Sequence, residues 1–216
     1  MRTRIKICGL TQETDIVAAV DAGADALGFV FYPKSKRCLT AEHARQLRSI
    51  VPAYVSVVAL FVNPDSEDVR AVQDAVQPDL LQFHGDESVA QCQQYGQRYV
   101  KAFRVGAPGL STAQEVRDSC AAYDDAAGWL FDSYTPQYGG SGETFDRGLL
   151  HLVQDTEHAR PIILSGGLRS ETVGDAIHQV RPWAVDVSSG VETAPGVKDT
   201  RAILAFVHAV NKADRS

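Results

Sequence analysis

The chain has 216 residues, 44% of them hydrophobic and 22% charged, a composition that buries one large core and excludes a disordered or fibrous protein. A net charge of −6 argues against a general affinity for nucleic acid or an anionic membrane, so an anionic ligand needs local attraction. No apolar run has the length of a membrane span, no apolar stretch follows Met1-Arg2-Thr3-Arg4 as in a secretory signal, and Cys8, Cys38, Cys92 and Cys120 form no CxxC pair.

Short β-branched runs alternate with amphipathic segments along the chain. A strand over Arg4 to Cys8 leads to a helix over Gln12–Asp21, and one over Ala26 to Phe31 to a helix over Ala41–Ser49. Strands over Val55 to Val62 and Leu80 to His84 precede helices over Glu67–Ala75 and Glu87–Tyr95. Tyr99 to Val105 and Gly128 to Asp132 precede Thr112–Ala121 and Phe145–Gln154. Pro161 to Ser165 and Ala184 to Ser188 precede Glu171–Gln179 and Lys198–Val210. Thr11 and Thr40 stand at N-cap positions, Ser111 with Gln114 reads as a capping box, and Gly23 and Gly96 stand where helices end.

Strands that alternate with helices pair in parallel through right-handed crossovers. Eight such units in one chain predict a single-domain (βα)8 TIM barrel over residues 1–216, with no linker where a second domain would begin. An open doubly wound sheet is the alternative, but no GxGxxG turn follows the first strand. In a barrel the functional positions are the C-terminal strand ends and the loops after them.

Lys6 and Cys8 point to the same face of the first strand, with Gly9 behind the thiol. Cys8 reads as a small buried hydrophobe or a reactive group, and Lys6 as a Schiff-base nucleophile or the partner of a barrel carboxylate. Asp132 follows two large apolar residues, a costly place for a carboxylate without a partner or a proton. The glycine-rich Tyr138-Gly139-Gly140-Ser141-Gly142 after it has the composition of a lid or a surface loop. In the cationic run Lys34-Ser35-Lys36-Arg37, only Arg37 offers a planar two-pronged donor for a carboxylate. Gln82 and His84 share a face at the fourth strand end. The loops Ser165-Gly166-Gly167-Leu168 and Val187-Ser188-Ser189-Gly190-Val191 follow the seventh and eighth strands, where barrels commonly bind phosphate. Glycines there let backbone N–H groups converge on phosphate oxygens.

Together these residues resemble the phosphoribosylanthranilate isomerases of tryptophan synthesis. The resemblance rests on Lys6-Ile7-Cys8-Gly9-Leu10, Gly28-Phe29-Val30-Phe31, Gln82-Phe83-His84-Gly85, Phe131-Asp132-Ser133, Gly139-Gly140-Ser141-Gly142, Ser165-Gly166-Gly167-Leu168 and Val185-Asp186-Val187-Ser188-Ser189-Gly190-Val191-Glu192. Two segments differ: Ser35-Lys36-Arg37 stands for Ser-Pro-Arg, and Phe145-Asp146-Arg147 for Phe-Asp-Trp. The resemblance implies an intramolecular oxidoreductase of the aldose–ketose type, acting in the third step from chorismate without metal or organic cofactor. It isomerises N-(5-phosphoribosyl)anthranilate, with Asp132 as general acid and Cys8 as general base. Arg37 is expected to hold the anthranilate carboxylate. Gln82, His84, Gly166, Gly167, Asp186, Ser188, Ser189 and Gly190 are expected to bind the rest of the substrate. The expected state is a cytoplasmic monomer or weak homodimer with no nucleic-acid or membrane partner.

A thiol of reference pKa about 8.5 and a carboxyl of about 3.9 are both in the wrong state at neutrality for these roles. The site is therefore expected to raise Asp132 by burial and a nearby substrate phosphate, and to lower Cys8 through Lys6 and helix N-termini. The rivals are a metal epimerase, for which only His84 is well placed; a lyase using Lys6 or Lys101; and a non-catalytic binding barrel, which would need neither Cys8 nor Asp132.

Overall fold

The computed structural model describes residues 2–135, 144–154 and 157–216. Eight parallel strands close into one barrel: β1 (Arg4–Cys8), β2 (Ala26–Val30), β3 (Ser56–Phe61), β4 (Leu80–Phe83), β5 (Tyr99–Val105), β6 (Gly128–Ser133), β7 (Ile162–Leu164) and β8 (Ala184–Val187). β8 returns to β1 in the register Arg4↔Ala184 and Lys6↔Asp186. Every strand end lies within one residue of its predicted position.

The outer layer holds α1 (Glu13–Ala22), α2 (Ala41–Arg48), α3 (Ser66–Val76), α4 (Val89–Gln93), α5 (Ala113–Ala121), α6 (Val173–Val180) and α7 (Thr200–Ala213). Thr40 caps α2 by accepting from the His43 N–H at 3.2 Å, and Gly23 ends α1 at φ 98°. Other caps differ from expectation. Gln12 precedes α1, and Thr11 donates instead to the Gly196 carbonyl at 3.4 Å. The capping box before α5 is Thr112 with Glu115, one residue beyond the expected pair, and a further box joins Ser88 to Gln91.

The helix expected over Phe145–Gln154 is replaced by a 3-10 turn, Arg147–Leu150. Asp146 accepts from the Gly148 N–H at 2.9 Å, and the Gly148 carbonyl bonds His151 Nδ1 at 2.8 Å. Side chains thus compete for groups that an α-helix would use, and glycine adds little helical preference. An antiparallel hairpin, β9 (Glu192–Ala194) and β10 (Val197–Lys198), follows β8 where no strand was expected. Lys198 therefore belongs to β10, and Asp199 caps α7. The glycine-rich 138–142 segment lies outside the described residues.

Strand alternation divides the barrel into two environments. Ile5, Ile7, Phe29, Phe61, Phe83, Phe103, Trp129 and Phe131 point outward and share one buried cluster with Ile16, Leu47, Val69, Val116 and Phe206 of the helices. Burial of each such side chain contributes about 1.5–3 kcal/mol. The intervening positions point inward. Val100, Ala102 and Leu130 form one small cluster, and Cys8, Val30, Leu60 and Val62 another nearer the mouth. With the stabilising apolar contact placed between barrel and helices, the interior can hold the buried polar residues Lys6, Gln82, Asp132 and Asp186. Among the described residues no helix is long and apolar enough to cross a membrane.

Candidate active site

A cavity of about 240 Å³ opens at the C-terminal mouth of the barrel. Cys8, Arg37, His84, Asp132, Gly166, Gly167, Asp186, Ser188, Ser189 and Gly190 all line it. Of the predicted site residues only Gln82 is not on this wall. It lies fully buried behind His84, and its Nε2 meets the imidazole Nδ1 at 3.1 Å. Gln82 and His84 do lie side by side, but Gln82 sits one pleat earlier along the strand and does not reach the cavity wall.

Asp132 is held from two sides. Its Oδ1 accepts from the Ser133 N–H at 2.9 Å, and its Oδ2 lies 3.1 Å from His84 Nε2. Gln82 and Asp132 hold the imidazole between them by its two ring nitrogens. β6 thus aims the carboxyl group into the cavity, and the Gln82–His84 pair at the end of β4 holds it there. Gly166 allows the β7 loop to lie against this group. At φ +83° it adopts left-handed backbone, and a Cβ there would fall 2.9 Å from Ser133 N and 3.3 Å from Asp132 Oδ1.

Cys8 shares the inner face of β1 with Lys6, whose Nζ donates to Asp186 Oδ1 at 2.8 Å. All three side chains are buried. Burial lowers the Lys6 ammonium, but Asp186 and Cys8 together outweigh it and hold the group above its ordinary value. At Cys8, burial raises the thiol, while Lys6 and Lys198 oppose the rise and Asp186 adds to it; the net shift is upward. The expected lowering of Cys8 is therefore overturned. Desolvation of a sulfur enclosed by the barrel exceeds the attraction of nearby cations, one of which is neutralised by its own carboxylate.

Arg37 reaches the rim with its fork already engaged. Nε and Nη2 donate to the two oxygens of Glu192 at 2.7 and 2.6 Å, while Nη1 lies outside this pairing. The prediction of a free two-pronged donor needs that correction. Lys198 donates to the same carboxylate at 2.7 Å and to the Ser188 carbonyl at 3.0 Å. Burial raises the Glu192 carboxyl, yet Arg37 and Lys198 outweigh it and hold it below the usual range. Neither Glu192 nor Lys198 was singled out from sequence as a support for Arg37. Arg37 is 155 positions from Glu192, and the short hairpin that joins Glu192 to Lys198 leaves no periodic signal.

The loops after β7 and β8 touch each other. A Cβ at Gly190 would collide with the Leu168 carbonyl, so residue 190 must be glycine for the loops to meet. Ser188, Ser189 and Gly190 then face Gly166 and Gly167 around one end of the cavity wall, leaving backbone amides for an anion. Neither lysine proposed for a lyase is a free amine. Lys6 is paired with Asp186, and Lys101 donates to Glu87 at 2.8 Å and the Gly85 carbonyl at 2.7 Å. Lys101 also lies on the outer face of β5, away from the cavity, and among the described residues no three His, Cys, Asp or Glu side chains gather as metal ligands would.

A sequence model of the N-(5'phosphoribosyl)anthranilate (PRA) isomerase family matches residues 5–209. The N-(5'-phosphoribosyl)anthranilate isomerase of Bordetella petrii is 62% identical over 214 residues, covering 99% of this chain and 97% of that protein. The enzyme of the same name from Dechloromonas aromatica is 48% identical over the full length of both chains. The phosphoribosyl anthranilate isomerase of Thermotoga maritima superposes with a TM-score of 0.86 at 40% identity, over 97% of this chain and 99% of that one. A phosphoribosyl anthranilate isomerase in complex with reduced 1-(o-carboxyphenylamino)-1-deoxyribulose 5-phosphate superposes with a TM-score of 0.84 at 37% identity, with the same coverage.

Proposed function

The chain belongs to the N-(5'-phosphoribosyl)anthranilate isomerase family, and we propose that Asp132 and Cys8 carry its reaction as general acid and general base. The enzyme converts N-(5'-phosphoribosyl)anthranilate to 1-(o-carboxyphenylamino)-1-deoxyribulose 5-phosphate, a step of tryptophan biosynthesis. The observation that carries the assignment is that Cys8 from β1 and Asp132 from β6 face one cavity, whose remaining wall includes the glycine loops after β7 and β8.

In this reading Asp132 gives its proton to the furanose ring oxygen, the bond from that oxygen to C1′ breaks, and nitrogen supplies electrons to form an iminium. The Cys8 thiolate then removes the C2′ proton, and the released pair forms an enolamine that tautomerises to the ketone. His84 and Ser133 keep the Asp132 carboxyl aimed at the ring oxygen. Arg37 turns its Nη1 edge to the anthranilate carboxylate while Glu192 holds the other edge. Gly166, Gly167, Ser188, Ser189 and Gly190 take the phosphate through backbone amides. Asp186 offers a ribose hydroxyl the oxygen that Lys6 leaves unused.

We read the chain as one barrel domain that works in the cytoplasm as a monomer or weak homodimer. The Thermotoga maritima relative is a dimer from which monomers have been generated. Freshly prepared substrate supplies the test, since ring opening and rearrangement change its fluorescence. The purified chain is expected to turn it over, and Cys8→Ala and Asp132→Asn are each expected to lose that turnover. Normal rates in either folded variant would reassign the chemistry.

A further inference from the structure

Beneath Cys8 the barrel holds a charged group that the rearrangement does not itself consume. Lys6 precedes Cys8 by two residues on β1, so both side chains point inward, and both are buried. Lys6 Nζ donates to Asp186 Oδ1 at 2.8 Å across the β1–β8 register pair. On the other side, β2 places Gly28 opposite Cys8. A Cβ at Gly28 would fall 2.7 Å from Cys8 Sγ and 3.1 Å from Lys6 Nζ. Thiol and ammonium therefore converge on the space that a side chain of residue 28 would fill, and lie within about 6 Å of each other.

Of the other charged groups around the sulfur, Lys34 and Lys36 of the loop after β2 share its cavity, and the rest are engaged. Asp186 of β8 holds Lys6. Lys198 of β10 and Arg37 after β2 both bind Glu192 of β9. His84 and Asp132 pair with each other elsewhere on the cavity wall. From β3 and the residue after it come the apolar Leu60 and Val62.

We propose that Lys6 is a positioning residue for Cys8. Anchored on Asp186, its ammonium supplies the counter-charge for the thiolate that accepts the C2′ proton, in room that exists because residue 28 is glycine. The proposal rests on Cys8 being the base. The proton passes from C2′ to Sγ, while Lys6 stays an ammonium and Asp186 a carboxylate throughout. The electrostatics agree in direction: despite burial, Lys6 keeps its proton more tightly than an ordinary lysine, and it opposes the effect of burial on Cys8.

The test reads the thiol without relying on turnover. In a Cys38→Ser background, which removes the exposed thiol, the rate of iodoacetamide labelling at Cys8 is followed by peptide mass between about pH 6 and about pH 10. Lys6→Met is expected to move the labelling midpoint up by at least one pH unit, about a tenfold loss of labelling at a fixed lower pH. kcat is expected to fall with it at little change in KM. Lys6→Met also strands Asp186 in the interior, so Gly28→Ala is the second variant. It leaves every charge in place, puts a methyl group into the space on which sulfur and ammonium converge so that the two are pushed apart, and is expected to move the midpoint the same way. A midpoint that stays put in both folded variants overturns the proposal. A midpoint that moves while Cys8→Ala still turns over substrate keeps the Lys6–Cys8 coupling and overturns Cys8 as the base.

Discussion

Glu192 grips Arg37 with both carboxylate oxygens, at 2.7 Å to Nε and 2.6 Å to Nη2, and takes a further 2.7 Å bond from Lys198. The guanidinium is thereby fixed in plane at the cavity rim before any ligand arrives. Preorganisation of this kind removes side-chain ordering from the cost of binding. Because Arg37 and Lys198 share the one carboxylate, the cluster keeps a net positive charge at the rim of a protein of net charge −6.

Arg37→Lys is expected to raise KM at least about tenfold while lowering kcat much less, because one ammonium cannot hold Glu192 by two bonds and face a ligand as well. Glu192→Gln should raise KM in the same direction, since a neutral amide accepts through one oxygen only. Steady-state kinetics on both variants check this. Unchanged KM in Arg37→Lys would remove Arg37 from the binding site.

Asp132→Asn should lower kcat by at least about a hundredfold, the scale of a positioned proton donor. The fold should survive, because an asparagine oxygen can still accept the Ser133 N–H. Gln82→Leu should have a smaller effect on kcat and little on KM, since Gln82 lies behind His84 and outside the cavity wall. Equal losses of kcat in the two variants would mean that orientation, not proton donation, is what Asp132 contributes.

Much of this site was legible because a barrel turns sequence order into spatial order. Once eight strands are recognised, Cys8, His84, Asp132, Gly166 and Ser188 fall at strand ends around one barrel mouth without further information. What escaped has specific causes. Arg37 and Glu192 are 155 positions apart, and no local pattern announces their bond. The hairpin that carries Glu192 and Lys198 has strands of three and two residues, too short to alternate visibly. Ser111 and Thr112 are both good caps, so the choice between them depends on backbone angles rather than residue type. The direction of the Cys8 shift depends on how fully the barrel encloses the sulfur, a quantity set by Gly28, Val30 and Leu60 from other strands.

Gly190→Ala should destabilise the chain by about 1–3 kcal/mol, the cost of forcing a methyl group into a packed position. The added Cβ meets the Leu168 carbonyl, which belongs to the β7 loop and cannot rotate away as a side chain would. Gly109→Ala is the contrast: its φ of +79° disfavours alanine, as the Gly190 backbone does not, and nothing lies within 4 Å of the new carbon. Its cost should be about 1 kcal/mol, from backbone strain alone. Thermal melts of both variants, read beside inhibition by inorganic phosphate, separate the two effects. Gly190→Ala should also weaken phosphate inhibition, and Gly109→Ala should not.

The pH dependence follows from the direction of the Cys8 shift. Burial raises the thiol above its ordinary value, and Lys6 only partly opposes it. A base acts only after losing its proton, so a raised value moves the rise of kcat/KM to higher pH. The logarithm of kcat/KM should therefore still be climbing at about pH 8.5, where an ordinary thiol is half ionised. Lys6 does not interfere with this limb. Its folded value is raised, so its contribution to stability is complete below the unfolded value of about 10.4 and is lost only as pH rises through the higher folded one. The ammonium thus persists across the range in which the sulfur ionises. Cys8→Ser should abolish the climb, because a hydroxyl does not ionise there, and leave a small rate with little dependence on alkaline pH. The check is a kcat/KM profile of both proteins with substrate made fresh at each pH. A wild-type plateau already reached near pH 7, or a climb that survives in Cys8→Ser, would mean that another group takes the C2′ proton.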